Sequence, residues 1–200
     1  MLLSDLTAQL GAISIDGPTD RTIDNVVYDS RNARPADLFV AIRGERVDAR
    51  RFVPDLDVAA VVVDGPVSAQ PGVTVIHVEN ARKALAVAAA ALAGHPAKAM
   101  PVVGITGTNG KTTVTWMLES IISAGAGTSG VIGTTGHRIA GKAIAATHTT
   151  PESPVMQELL RQMNDANCTA ALMEVSSIGI AMHRADATCS SSSSSSSSSG

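Results

Sequence analysis

The segment Gly104-Ile-Thr-Gly-Thr-Asn-Gly-Lys-Thr-Thr113 constrains the fold of this chain more than any other. It follows Pro101-Val-Val103, a short apolar run that reads as a buried strand. It precedes a stretch in which Val114, Met117/Leu118 and Ile121/Ile122 recur at helical spacing. Strand, glycine-rich turn and helix in that order make a phosphate cradle. Glycines let backbone N–H groups converge on an anion, and the helix N-terminus adds unpaired donors and a positive dipole end. Gly107, Thr108, Asn109, Gly110, Lys111, Thr112 and Thr113 are therefore the candidate nucleotide-binding residues. Lys111 can reach terminal phosphates, and the Thr112 hydroxyl can ligate Mg²⁺. The usual loop places its first glycine where Ile105 stands, so Gly107-x-x-Gly110-Lys111-Thr112 is a shorter variant. An ordinary glycine-rich connection would leave Lys111 opposing the helix dipole; a bound polyphosphate removes that conflict.

Composition narrows the remaining classes. Of the 200 residues 44% are hydrophobic but only 2% aromatic, so the cores must be built from Ala, Val, Ile and Leu. The net charge of −3 provides no global field for nucleic acid or anionic membrane. Two cysteines give no disulfide framework, and the five histidines fall into no metal-binding spacing. Met1-Leu-Leu-Ser-Asp5 lacks the basic and apolar regions of a signal peptide, and residues 84–93 are too short to span a bilayer. The reading is a soluble cytoplasmic protein, a monomer, with no nucleic-acid or membrane partner.

Residues 1–97 read as a small α/β unit with strands over 24–28, 38–42, 59–63 and 73–78. Asn80 is expected to cap a helix through Ala93, with Leu85, Ala88/Ala89 and Leu92 on one face. Residues 95–99 form the expected linker. Residues 98–189 read as a second α/β unit of the phosphate-loop type. It contains a glycine-rich loop over 125–130, a short strand at Val131-Ile132 and a turn at Gly133-Thr-Thr-Gly136. Pro151-Glu-Ser-Pro154 opens a helix through Asn164 with Val155, Leu159 and Met163 facing inward. A second buried strand, 169–173, then carries Glu174 at its carboxyl end. Ligands of parallel α/β sheets bind beyond those ends, so Glu174 is expected to face the loop's crevice and suit Mg²⁺; the plainer alternative is a carboxylate facing solvent. Trp116 is expected in the core, and His77 and His95 in structural or exposed positions. The arginines at 31, 34, 43, 46, 50 and 51 outnumber Asp37, Glu45 and Asp48 and together could suit a pyrophosphate, although any one of them alone reads first as part of a solvated face. The α/β pattern breaks off at Cys189, and the serine run 190–199 with Gly200 has nothing to bury and is expected to be a disordered tail.

Taken jointly, four separated motifs resemble the Mur ligase family. Gly104 to Thr113, Thr149-Thr-Pro151, Met173-Glu-Val-Ser-Ser177 and His183-Arg184 are similar to its central ATPase domain. Tyr28-Asp-Ser-Arg31, Asp37 to Ile42 and Gly44 to Phe52 are similar to its amino-terminal uridine-diphosphate-binding domain. The Glu-Val-Ser-Ser run with the upstream Thr-Thr-Pro resembles the branch that adds the third peptide residue. The resemblance implies an ATP- and Mg²⁺-dependent amide ligase of peptidoglycan synthesis. It would join meso-diaminopimelate or L-lysine to UDP-N-acetylmuramoyl-L-alanyl-D-glutamate through an acyl phosphate.

The same resemblance implies that Tyr28 and Ser30, with Glu45, Arg46 and Val47, contact the uridine nucleotide. It places His148, Thr149, Thr150, Ser176 and Arg184 at the muramoyl-peptide, Lys111 at the transferred phosphate, and Thr112 and Glu174 at the metal. Ile178 and Met182 depart from the family's usual His and Gln. The family's carboxylated lysine, a further metal-binding histidine and its amino-acid-binding domain are expected beyond Cys189, so the chain by itself is expected to be inactive. Two other classes stay open from the residues: a different phosphate-loop kinase or NTPase, and a non-catalytic nucleotide-sugar-binding module.

Overall fold

The computed structural model describes residues 1–44, 47–146 and 149–188. Glu45, Arg46, His148, Cys189 and the serine tail, all singled out above, lie outside the described residues. Two five-stranded sheets organise the chain. The first is formed by β1 (Ala12–Asp16), β2 (Asn25–Val27), β3 (Asp37–Val40), β4 (Ala60–Val63) and β5 (Thr74–Val78), in the order β1-β5-β4-β3-β2. Strands β2 to β5 are parallel, and β1 runs antiparallel to β5 at the edge.

The central strands of this sheet, Leu38-Phe-Val40 and Ala60-Val-Val-Val63, are apolar without alternation because both faces are covered. One face packs on α1 (Leu3–Leu10) and α2 (Ala81–Leu92), burying Leu38, Val40, Val62 and Ile76 against Leu3, Leu6 and Leu85. On the other face Phe39, Val61 and Val63 meet Val53 and Phe52 of the 3-10 segment Ala49–Asp55. Asn80 caps α2 as expected, its side chain accepting from the N–H groups of Arg82 and Lys83. Helix α1 and edge strand β1 add to the elements the residue pattern foretold. Ile13 and Ile15 on β1 are exposed, which hides the alternation that usually signals a strand.

The expected linker forms a 3-10 turn at Pro96–Lys98. Pro96 is buried, and its carbonyl accepts a hydrogen bond from Asn164 Nδ2 at 2.9 Å. The second sheet follows, built from β6 (Val102–Ile105), β7 (Ser129–Gly133), β8 (Gly136–Ile139), β9 (Lys142–Ile144) and β10 (Ala170–Glu174). Its order is β6-β10-β7-β8-β9, with β6, β10 and β7 parallel and β8 and β9 continuing as an antiparallel hairpin. The strand after Gly133-Thr-Thr-Gly136 is a feature the sequence reading treated only as a turn.

Helix α3 (Lys111–Ala124) and α4 (Ser153–Asp165) pack on this sheet, and α4 also packs on α2. Met156, Leu159, Leu160 and Met163 of α4 are buried. Val155 is not: it is 45% exposed, because the buried stripe runs through Met156 and Leu160 instead. Strand β6 is also less buried than its apolar run predicts, since it lies at the sheet edge with Val103 40% exposed. Trp116 is not core either. It is 50% exposed and stacks under the Arg138 guanidinium, 4.2 Å from the ring centroid, while Arg138 pairs with Glu119 at 2.7 Å. A cation held over the ring by a carboxylate gives the indole a partner at the surface.

Leu85 is 1% exposed in the core between α2 and the first sheet. Leu85→Ala should therefore lower stability by about 2–5 kcal/mol in urea unfolding. A loss well under 1 kcal/mol would show that α2 does not seal that core.

Candidate functional site

The parallel strands β6, β10 and β7 end on one side, and the phosphate loop springs from the end of β6. Gly107 has φ 149° and Gly110 has φ 79°, the latter at the N-cap of α3. The backbone at Gly110 is left-handed, a conformation glycine adopts without a Cβ penalty. No side chain caps α3, so its first-turn N–H groups remain directed outward, as an anion site requires. Lys111 Nζ donates to Gly107 O at 2.6 Å, which folds the ammonium back over the loop.

Glu174 is the chemical centre of this end of the sheet. It is 1% exposed, and its Oε2 accepts hydrogen bonds from Thr112 Oγ1 at 3.1 Å and Thr134 Oγ1 at 2.8 Å. Gly133 makes room for it: a Cβ there would stand 2.5 Å from Glu174 Oε1. Thr108, Asn109, Gly110, Lys111, Thr112, Thr113, Thr134 and Glu174 line one cavity of about 220 Å³. Among the described residues no cluster of three or more His, Cys, Asp or Glu is placed to hold a metal. A single carboxylate beside a loop hydroxyl suits Mg²⁺, which keeps several waters and takes its other oxygens from phosphates. The donor set therefore fits a magnesium–nucleotide. Thr134 is the residue of this site that sequence reading missed; its only signal was the Gly133-Thr-Thr-Gly136 turn.

The residues carried over for the uridine nucleotide lie elsewhere. Tyr28, Ser30 and Val47 line a cavity of about 470 Å³ with Asp29, Arg31, Ile42, Gly44, Ala49 and Phe52. Two of the arginines in this stretch are tightly paired with local carboxylates. Arg31 pairs with Asp29 at 2.6 Å and Arg50 with Asp48 at 2.6 Å, each two residues apart. The Arg50 fork holds the Asp48 carboxyl down at about 2. Arg51 lies over the Phe52 ring, 5.3 Å from its centroid. Asp29, two residues before Arg31, thus joins Asp37, Glu45 and Asp48 among the acids that balance this stretch.

The residues carried over for the muramoyl-peptide divide by accessibility. Thr149 Oγ1 lies 3.1 Å from Thr134 Oγ1, whose own proton goes to Glu174, and so adjoins the Glu174 site. Thr150 is 1% exposed, its hydroxyl donating to Glu174 O at 3.0 Å and accepting from Ser176 N–H at 3.1 Å. Ser176 in turn caps α5 (Ser177–Ala181), accepting from Gly179 N–H at 3.0 Å. Thr150 thus serves as an internal brace that aligns the end of β10. Arg184 donates to Thr150 O at 3.1 Å and to Glu152 Oε1 at 3.0 Å.

Arg184, Tyr28, His137 and Glu152 line a further cavity of about 330 Å³, to which both units contribute. Burial raises the Tyr28 phenol above its ordinary value, reinforced by the charges of Glu152 and Asp29 and opposed by Arg184. Burial lowers His137 below its ordinary value and favours the neutral imidazole there. Ile178 and Met182, the two departures from the family pattern, lie within and just after α5, with Ile178 58% exposed.

Residues 105–193 match the model of the Mur ligase middle domain. The chain is 42% identical over 175 residues to the UDP-N-acetylmuramoyl-L-alanyl-D-glutamate–2,6-diaminopimelate ligase of Caldanaerobacter subterraneus subsp. tengcongensis, covering 86% of this chain and 36% of the relative. The chain belongs to the Mur ligase family. A Deinococcus radiodurans UDP-N-acetylmuramyl-tripeptide synthetase is 38% identical over 196 residues, covering 92% of this chain and 39% of the relative. A solved structure of a UDP-N-acetylmuramoyl-L-alanyl-D-glutamate–2,6-diaminopimelate ligase shares the fold at TM-score 0.79 and 22% identity, over 94% of this chain and 38% of that one. The chain spans 36% and 39% of the length of the two curated relatives. No helix among the described residues is long and apolar enough to cross a membrane.

The close fit of Gly133 to Glu174 supplies a test of whether this cavity takes a magnesium–nucleotide. Gly133→Ala should displace the Glu174 carboxylate and weaken Mg²⁺-dependent ATP binding roughly ten-fold, about 1.4 kcal/mol. Calorimetry with and without Mg²⁺ measures it. An unchanged Mg²⁺-dependent affinity would remove Glu174 from the nucleotide site.

Proposed function

We propose that this chain holds the uridine-nucleotide and ATP sites of a Mur ligase that adds the third peptide residue to UDP-N-acetylmuramoyl-L-alanyl-D-glutamate. The observation that carries the reading is the inter-unit cavity, which Tyr28 of the first unit and Arg184 of the second both line. The continuous match to ligases across both units supports it. A phosphate-loop kinase of another class has no need to bring these two residues together.

Amide formation needs an activated carboxyl, because an amine cannot expel oxide from a carboxylate. Phosphorylation of the D-glutamate γ-carboxylate provides a leaving group, and the incoming amine then displaces phosphate from a tetrahedral intermediate. The first of these steps is mainly positioning and charge neutralisation. In that division of work the N–H groups from Gly107 to Thr113 cradle the phosphates and Lys111 balances charge on the transferred group. Thr112 and Glu174 would hold Mg²⁺, which supplies neutralisation of the phosphate oxygens. Thr149, on the Thr134 side of Glu174, borders the position of the carboxylate to be phosphorylated. Tyr28, Ser30 and Val47 hold the uridine diphosphate at the other end, so the substrate stretches from the first unit to the second. The amino acid added is meso-diaminopimelate or L-lysine, and the site of action is the cytoplasm.

Two substitutions separate the two ligands. Lys111→Ala removes a charge-assisted contact of ~1.5–3 kcal/mol and should weaken ATP binding ten-fold or more, leaving UDP affinity unchanged. Ser30→Ala should weaken UDP by ~0.5–1.5 kcal/mol and leave ATP unchanged. Calorimetry on the full chain reads both. Equal ATP affinity in wild type and Lys111→Ala would sink the loop assignment, and a wild-type chain blind to UDP would sink the ligase reading.

A further inference from the structure

We infer that Glu152 is a positioning residue: it fixes the Arg184 guanidinium at the inter-unit cavity and, through Arg82, ties that cavity to the first unit. The inference rests on the proposed reading of Arg184 as a substrate contact and adds the residues that orient it.

Glu152 occupies the N-cap position of α4, where a shorter Asp, Asn or Ser side chain would accept from the helix's own N–H groups. Here it makes no cap bond. Its carboxylate points instead to two arginines. Arg184 Nε donates to Oε1 at 3.0 Å, and Nη2 lies 2.9 Å from the same oxygen. Arg82 Nη1, at the start of α2 in the first unit, donates to Oε2 at 3.4 Å. All three side chains are 16% exposed, so the cluster is largely withdrawn from solvent. With Nη1 on Thr150 O at 3.1 Å, the Arg184 plane is held from two directions. A second contact joins the same helix start to the same segment, Asn80 Nδ2 lying 3.4 Å from His183 Nε2.

The charge balance gives the cluster a direction of effect. Two guanidiniums share one carboxylate, so the cluster at the edge of this cavity carries one surplus positive charge, suited to an anionic group of a substrate. If the cavity needed only positive charge, neutralising Glu152 would strengthen binding. If Glu152 orients Arg184, neutralising it leaves two like charges adjacent and the Arg184 plane unheld, and binding weakens. The two accounts predict opposite signs.

The experiment measures affinities of the full chain for UDP-N-acetylmuramoyl-L-alanyl-D-glutamate and for UDP alone, with melting temperatures as the check on folding. Glu152→Gln should weaken the dipeptide conjugate ten-fold or more while UDP changes less than two-fold. Arg184→Ala should do the same, and the double variant should be no weaker than Arg184→Ala, since Glu152 acts through that side chain. Arg82→Met keeps an apolar stem and the Glu152–Arg184 pair. It should weaken the conjugate but not UDP, and it keeps the test open if Glu152→Gln fails to fold. Conjugate affinity that is unchanged or tighter in Glu152→Gln, additive losses in the double variant, or an Arg82→Met chain indistinguishable from wild type would each overturn the inference alone. A wild-type chain that binds neither compound would instead overturn the proposed function, and this inference with it.

Discussion

The second sheet is arranged around one buried carboxylate. A charge withdrawn from water is costly unless it is hydrogen-bonded or paired, and Glu174, 1% exposed, receives two hydroxyl donors. Meeting that need involves three separate parts of the chain. Strand β10 runs between β6 and β7 and so delivers Glu174 beside the phosphate loop. Thr112 brings the first turn of α3 to it, and Thr134 brings the β7–β8 turn. Gly133 leaves the space its side chain fills.

A second charged cluster performs the corresponding task between the units. Burying two arginines with one glutamate makes geometry decisive, because each donor must find its oxygen when solvent cannot substitute. Arg82, Glu152 and Arg184 come from α2, the N-cap of α4 and the segment after α5, so their contact depends on how α2 packs on α4. Thr150 links this cluster to the first. Its hydroxyl bonds Glu174 O and Ser176 N–H while its carbonyl accepts from Arg184. The two candidate ligand regions therefore share a bonded frame, and a substrate reaching from Tyr28 to Glu174 would lie along it.

Much of this was legible in the sequence wherever local chemistry decides. The strands of the first sheet read clearly because apolar runs of β-branched residues between Gly and Pro signals have few alternatives. The Asn80 cap and the strand–loop–helix order around Lys111 are equally local, as is the place of Glu174 at a strand end. Elements without a local signature were hidden. Strand β1 exposes Ile13 and Ile15, and α1 is a single short amphipathic helix. Trp116 and Val155 misled for a related reason: residue type sets a preference for burial, but the neighbouring element decides which face is covered.

By itself the sequence determined the α/β character of both units, the phosphate loop and the family to which the chain belongs, because these rest on contiguous residues and their order. Tertiary structure alone decided that Thr134 serves Glu174, that Thr150 is spent as a brace, and that Asp29 and Asp48 pair with Arg31 and Arg50. It alone brought Glu152 between Arg82 and Arg184. Hydrogen bonds and ion pairs act over about 3 Å, and residues seventy positions apart, as Arg82 and Glu152 are, reach that distance only through the packing of α2 on α4.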